Sequence, residues 1–245
     1  MAQFFPHEKL DVYREAVGFA SLAGELLCSW PSVWSVHDQL DRAVESIVMN
    51  LAKAARLRAS EDGIYSLECS LGSVLECAAC LDVALHRHLV DTPRVRFAKE
   101  ALQRIARMEI GLRASWKGCV REKCEPYGGE ATGYFLHETL AVYQRSLQIH
   151  GALESLWQEG RMRHRYVRRA DELSTSITVN IAEGNGRFSK MDHDKFLCIA
   201  EEAGTKLAAY LDLIAGVSER EIGEAKSCLR EVMAMLWGLH AYLKE

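Results

Sequence analysis

The sequence lacks the features that mark several classes of protein. Four prolines among 245 residues, with 49% hydrophobic and 26% charged residues, argue against a disordered, collagen-like or low-complexity chain. There is no run of about 18 uncharged apolar residues, so no transmembrane helix is predicted. The first ten residues hold no basic region followed by an apolar core, which argues against a secretory signal. We therefore expect a cytoplasmic protein without a membrane partner.

A strong excess of one charge is also missing. The chain has 30 Lys and Arg residues against 34 Asp and Glu residues, a net charge of −4. That balance excludes a globally basic nucleic-acid-binding protein, but it leaves local basic patches open.

Motifs for catalysis or cofactor binding are missing as well. The sequence contains no nucleophile elbow, Walker motif, dinucleotide-binding fingerprint or H-E-x-x-H. Asp192 and Asp194 could be metal ligands, but acids in the first turn of a helix are explained more simply by the helix dipole. We predict neither enzymatic activity nor a cofactor.

Eight cysteines are present, and without an export signal they are expected to be reduced. Cys77 and Cys80 form a C-x-x-C, with His86 and His88 the nearest candidates for further ligands. No second C-x-x-C follows at the spacing of a zinc finger. We favour small cysteines filling a tight helix interface, and a metal or redox site remains the weaker alternative.

A repeat with an offset of 130 residues organises the chain. Leu10-Asp11-Val12-Tyr13 resembles Leu140-Ala141-Val142-Tyr143, and the same offset pairs many further residues without gaps. Among these pairs are His7 and His137, Asp41 and Asp171, Ser46 and Ser176, Asn50 and Asn180, and Leu81-Asp82 and Leu211-Asp212. The pattern indicates a diverged tandem duplication.

Helical periodicity occurs throughout, and no convincing strand alternation is present. In the first unit we predict a helix ended by Pro31, a second over 35–58, a third capped by Ser60 and a fourth after Pro93. In the second unit we predict helices over 138–159, 163–183, 190–215 and 219–243. The predicted fold class is all-α, with two tandem antiparallel four-helix bundles. The units are 5–119 and 135–245, joined by a glycine-containing linker over 120–134.

One segment of the second unit resembles a known family. Ser176-Ile177-Thr178-Val179-Asn180-Ile181-Ala182-Glu183-Gly184-Asn185-Gly186-Arg187 is close to the pattern S-I-P-x-N-I-A-E-G-x-G-R of the four-helix bundle proteins, with Thr178 in place of proline. That family includes proteins encoded in intervening sequences of 23S ribosomal RNA genes and the accessory variability determinant of diversity-generating retroelements. The resemblance implies a helical accessory protein that forms homo-oligomers, with structured RNA and a reverse transcriptase as possible partners.

The residues of this motif also have a direct physical interpretation. We expect one of Gly184 and Gly186 to end its helix in the left-handed conformation, and Glu183 to pair with Arg187 at i, i+4. Asn50 and Asn180 predict a structural polar contact that ties the second helix of each unit to a neighbouring helix. A corner that joins two helices is favoured over a ligand site.

Two basic segments are the candidate binding surfaces for RNA or an acidic partner. Positive charges near a helix N-terminus oppose the dipole, so local stability does not explain the first segment. It contains Arg161, Arg163, Arg165, Arg168 and Arg169. The second lies on the fourth helix and includes Arg96, Lys99, Arg104 and Arg107, for which a solvated helix face is the favoured alternative. We predict a helical scaffold that binds structured RNA, a reverse transcriptase, or both; the alternative is an oligomerisation module without nucleic acid.

Overall fold

The computed structural model describes residues 5–118, 134–154, 164–214 and 219–244. Eight α-helices and two short 3-10 helices, Pro6–Lys9 and Leu136–Thr139, occur in these ranges, and no strand does. The α-helices are α1 (Asp11–Leu27), α2 (Ser35–Leu57), α3 (Glu61–His86), α4 (Thr92–Trp116), α5 (Ala141–Ala152), α6 (Arg165–Asn185), α7 (Lys190–Leu211) and α8 (Glu219–Lys244). The predicted all-α class is confirmed.

The helices form two four-helix bundles. In the first, α1 packs on α2 and α4, and α3 packs on α2 and α4; in the second, α5 to α8 repeat this arrangement. Short connections between successive helices give antiparallel neighbours. The predicted linker, apart from Tyr134, lies outside the described residues.

Side-chain caps fix where several helices begin. Ser60 accepts a hydrogen bond from the backbone N–H of Gly63 at 3.1 Å, as predicted for the start of α3. Asp91 caps α4 in the same way, through the backbone N–H of Arg94 at 2.9 Å. Such caps satisfy backbone donors that lack a partner within the helix.

The offset of 130 residues also relates the helices. The 3-10 helices begin at positions 6 and 136, α1 and α5 at 11 and 141, and α2 and α6 at 35 and 165. Asn50 Nδ2 donates to the carbonyl of Ser46 at 2.9 Å, and Asn180 Nδ2 donates to that of Ser176 at 2.7 Å. The two asparagines thus make the same contact, within their own helix.

The central helix of the molecule is α3, which contacts α2 and α4 of its own bundle and α5 and α6 of the other. It is long and apolar enough to cross a membrane, yet 78% of its most apolar stretch is buried inside the protein. That burial is typical of a core helix, because the surrounding helices already cover its apolar side chains.

Candidate functional site: the seam between the bundles and two basic surfaces

The seam between the two bundles is built on the close approach of α3 and α6. Gly186, the residue after α6, lies against Leu75 so closely that an added Cβ would be 2.1 Å from Leu75 Cδ1. On the other helix, a Cβ at Gly72 would be 2.9 Å from the guanidinium carbon of Arg187. A larger residue at either position would therefore require the Leu75 or the Arg187 side chain to move.

This contact corrects the prediction for the glycines. Gly184 lies inside α6, and Gly186 has φ −84° and ψ −3°, which is right-handed. Among the described residues the only glycine with positive φ is Gly118. The glycines of the motif lie where helices pack closely, since a Cβ at Gly184 would meet Phe196 and His193 at 3.0 and 3.2 Å.

A buried ion pair crosses the seam between Arg87, which ends α3, and Asp171 on α6. The exposed fractions of the two side chains are 0% and 1%. The other oxygen of the Asp171 carboxylate accepts the backbone N–H of Ser35 at 2.7 Å. Asp171 therefore also caps the start of α2, whose own preceding residue, Trp34, supplies no side-chain cap.

Nη2 of Arg87 meets polar groups of the second bundle. Nη2 donates to Ser174 Oγ at 3.2 Å and to Thr175 Oγ1 at 3.1 Å, and it lies 3.0 Å from His150 Nδ1. Burial and the charge of Arg87 hold the pKa of His150 well below its usual range. The imidazole is thus neutral and accepts at Nδ1.

Arg187 joins the sequence motif to the first bundle. It forms the predicted pair with Glu183, and its guanidinium lies 4.6 Å from the centre of the Phe196 ring and 3.7 Å from Cys69 Sγ. Burial and the nearby Glu183 carboxylate raise the pKa of Glu76 to about 8. These contacts are those of a packed joint between helices.

A second polar group at the seam corrects the prediction for Lys99. Its ammonium lies 2.5 Å from Asp82 Oδ1 and 2.9 Å from Glu138 Oε1, and its side chain is only 5% exposed. Tyr143 donates to the other oxygen of Asp82 at 2.8 Å. Lys99 therefore holds the bundles together and does not belong to a surface that binds a partner.

The other predicted residues of α4 do lie on the surface. Arg96, Arg104 and Arg107 are exposed. Arg104 pairs with Glu15 at 2.7 Å, whereas Arg96 and Arg107 form no ion pair with the described residues. We call these three arginines and Phe97 the basic α4 face.

Phe97 is the member of this face that the sequence analysis missed. Its side chain is 60% exposed, and at 100° per residue it projects from the same side of α4 as the three arginines. A signal was available, because Phe97 falls outside the buried stripe of Val95, Ala98 and Leu102.

At the start of α6, Arg165, Arg168 and Arg169 are exposed. Arg169 pairs with Glu172, while Arg165 and Arg168 have no ion pair in the described ranges. Arg168 lines an open cleft of about 580 Å³ at the seam, together with Asp38 and Arg42. Arg161 and Arg163 lie outside the described residues.

The C-x-x-C is deeply buried. Cys77 and Cys80 are both 0% exposed, and burial raises the pKa of each thiol well above its usual value. His86 is exposed. A buried, protonated thiol is a poor metal ligand, which favours the packing interpretation.

One family comparison bears on this architecture. Residues 8–111 match the model of the 23S rRNA-intervening sequence protein family. The match covers less than half of the chain and contains α1 to α3 and most of α4, so the first bundle is similar to that family as a unit. It does not include the motif at 176–187. No curated protein and no solved structure matches the chain.

Proposed function

We propose that the protein is a non-enzymatic helical scaffold that binds structured RNA through the basic α4 face and the start of α6. The observation that carries this proposal is the group of exposed arginines that have no acidic partner among the described residues, Arg96, Arg107, Arg165 and Arg168. The similarity of the first bundle to an rRNA-related family supports it. A tandem duplication accounts for the shared offset of 130 residues.

The basic α4 face suits contact with phosphates. Arg96 and Arg107 are eleven residues apart, three helical turns or about 16 Å along one side of the helix. A guanidinium binds a phosphate through two parallel hydrogen bonds, and the exposed Phe97 ring offers a surface on which an unpaired base can stack. Such contacts fit RNA without reading a defined sequence.

The start of α6 adds a second contact region at the same end of the first bundle. α2 begins, α3 ends and α4 begins there, and Asp171 reaches the first residue of α2. Arg96 on α4 and Arg168 on α6 therefore lie towards one end of the molecule.

A filter-binding titration with a structured RNA tests this function. We expect R96E/R107E and R165E/R168E each to weaken binding by ten-fold or more and to reduce the slope of log K against log salt by about one per lost phosphate contact. The matched control is R14E/R220E, which makes the same change of charge at two exposed arginines on α1 and α8. Unchanged affinity in both test variants, or equal loss in the control, would refute the proposal.

The second candidate function is protein assembly without nucleic acid, and a difference between the units favours it. Phe135 is 2% exposed, whereas its counterpart Phe5 is 66% exposed. Trp237 on α8 is 62% exposed. Exposed apolar side chains of this kind are typical of surfaces that bind another subunit.

Light scattering distinguishes the two candidates. A particle mass at a multiple of 27.5 kDa that survives high salt supports assembly through apolar contacts, and we expect F5S/W237S to reduce it to one chain. M191S, which replaces another exposed apolar side chain, is the control. A reverse transcriptase is the protein partner that the family resemblance proposes, and a pull-down with such an enzyme tests it.

A further inference from the structure

A group of four potential ligands lies between α7 and α8 of the second bundle. Asp194, Cys198 and Glu201 are at positions i, i+4 and i+7 of α7 and therefore share one side of that helix. His240 reaches them from α8. The ligand atoms of Asp194, Cys198 and His240 lie within 4.8 Å of one another.

The imidazole of His240 is the centre of this group. Its Nδ1 is 2.5 Å from Asp194 Oδ1, and its Nε2 is 3.1 Å from Glu201 Oε1 and 4.0 Å from Cys198 Sγ. A carboxylate therefore faces each nitrogen of the ring. Glu201 Oε1 is buried and accepts no hydrogen bond from the described residues. The Nε2 side of the ring thus brings together three potential electron donors.

We propose that this group is a binding site for a divalent cation of the zinc class. Tetrahedral zinc places nitrogen, sulfur and oxygen ligands about 3.3–3.6 Å apart. His240 Nε2 is 3.1 Å from Glu201 Oε1 and 4.0 Å from Cys198 Sγ, so both side chains must shift for the three atoms to surround one cation. His240 Nε2, Cys198 Sγ and Glu201 Oε1 are the protein ligands. Asp194 accepts Nδ1–H and orients the ring, as carboxylates do beside metal-bound histidines.

The position of the site is compatible with ion entry from solvent. Cys198 is exposed, so a cation can reach the thiolate without opening the bundle. The same exposure lets a water molecule occupy the fourth coordination position of the cation. Bound metal would link α7 to α8 near the end of the chain, where Asp194 and Glu201 form no ion pair with a Lys or Arg among the described residues.

Comparable groups elsewhere already contain a positive side chain. In the first bundle, Glu68 is the counterpart of Cys198 at the offset of 130, and it pairs with Arg113 at 2.7 Å. The other compact group of potential ligands in the described structure is Asp82, His137 and Glu138, and the ammonium of Lys99 lies between its two carboxylates. At His240, a bound metal cation would supply the positive charge that Lys99 supplies in that group.

The test is zinc binding by the metal-free full-length chain, prepared without a histidine tag, in competition with a chromophoric chelator. We expect one Zn²⁺ per chain and a loss of affinity of at least ten-fold in C198S, H240Q and E201Q. D194N is expected to lose 10- to 100-fold, the usual effect of removing an orienting carboxylate. With Co²⁺ as the probe, the thiolate-to-metal charge-transfer band should appear in the wild type and disappear in C198S.

Two matched controls keep the test specific. C28S removes another exposed thiol, and E202Q removes the neighbouring carboxylate, which faces solvent and pairs with Lys206. Both should bind zinc like the wild type. Far-UV circular dichroism checks folding; if H240Q does not fold, the exposed C198S variant decides the result. The absence of stoichiometric binding, or binding that C198S leaves intact, would overturn the proposal.

Discussion

The buried pair of Arg87 and Asp171 gives the sharpest test of how the bundles are joined. The substitution D171N removes the carboxylate charge and leaves the Arg87 guanidinium, 0% exposed, without its opposite charge. The amide oxygen of the new side chain can still accept the backbone N–H of Ser35, so the variant isolates the loss of charge. Breaking a buried ion pair on one side costs about 3–5 kcal/mol, and we expect a loss of that size in the free energy of unfolding.

The repeat supplies a matched control for this substitution. Asp41 occupies the equivalent position of the first unit, where it is exposed and forms no ion pair with the described residues. D41N makes the same chemical change, and we expect it to alter stability by no more than about 0.5 kcal/mol. A double variant, R87M/D171L, removes both charges and should recover most of the stability that D171N loses.

Urea unfolding followed by circular dichroism at fixed pH and salt measures all three effects. The expected order of unfolding midpoints is D41N equal to the wild type, R87M/D171L below it and D171N lowest. If D171N and D41N have the same unfolding midpoint in urea, the ion pair of Arg87 and Asp171 does not stabilise the seam. If the double variant is as unstable as D171N, the cost comes from lost packing and not from an unpaired charge.

Three further predictions concern stability. Burial raises the pKa of Glu109 to about 8 in the folded protein, above its value in the unfolded chain. The contribution of Glu109 to stability is therefore fully present below about pH 4.5 and is lost as pH rises through 8. As pH rises from 5 to 9, E109Q should therefore lose less stability than the wild type, by up to about 5 kcal/mol. If the free energy of unfolding fell equally with pH in both proteins, this prediction would be wrong. G186A should lower the free energy of unfolding by about 1–3 kcal/mol because Leu75 must move. The control G24A, with open space around it, should raise it by about 0.5–1 kcal/mol. Equal melting temperatures of the two variants would refute the packing argument. K99M leaves two carboxylates at the seam without their cation and should cost about 3–5 kcal/mol in urea unfolding; a loss below about 1 kcal/mol would show that Lys99 is dispensable.

The helices of this protein could be predicted from local signals. Periodic apolar residues, Ser60 as a cap and Pro31 as a stop are all features of a few neighbouring residues. Most predicted helices lie close to those observed, but α1 already ends at Leu27, and α5 ends at Ala152 and not at the predicted residue 159. The pair of Glu183 and Arg187 was predictable for the same reason, because residues four apart meet on any helix.

The seam could not be predicted, because it depends on contacts between residues far apart in sequence. Arg87 and Asp171 are separated by 84 positions, and neither stands in a recognisable motif. Lys99 looked like one cation in a basic series, and only the fold shows that Asp82 and Glu138 surround it. Gly186 was expected to end a helix by its conformation; its actual constraint is the Leu75 side chain of another bundle.

The cap of α2 has a consequence for the order in which the chain folds during synthesis. The carboxylate that accepts the backbone N–H of Ser35 belongs to Asp171, 136 residues further along the chain. A ribosome therefore releases all four helices of the first bundle before it makes the group that completes one of them and neutralises Arg87. Until then the start of α2 lacks the Asp171 cap and the Arg87 guanidinium lacks the Asp171 carboxylate, and the arrival of α6 supplies both at once.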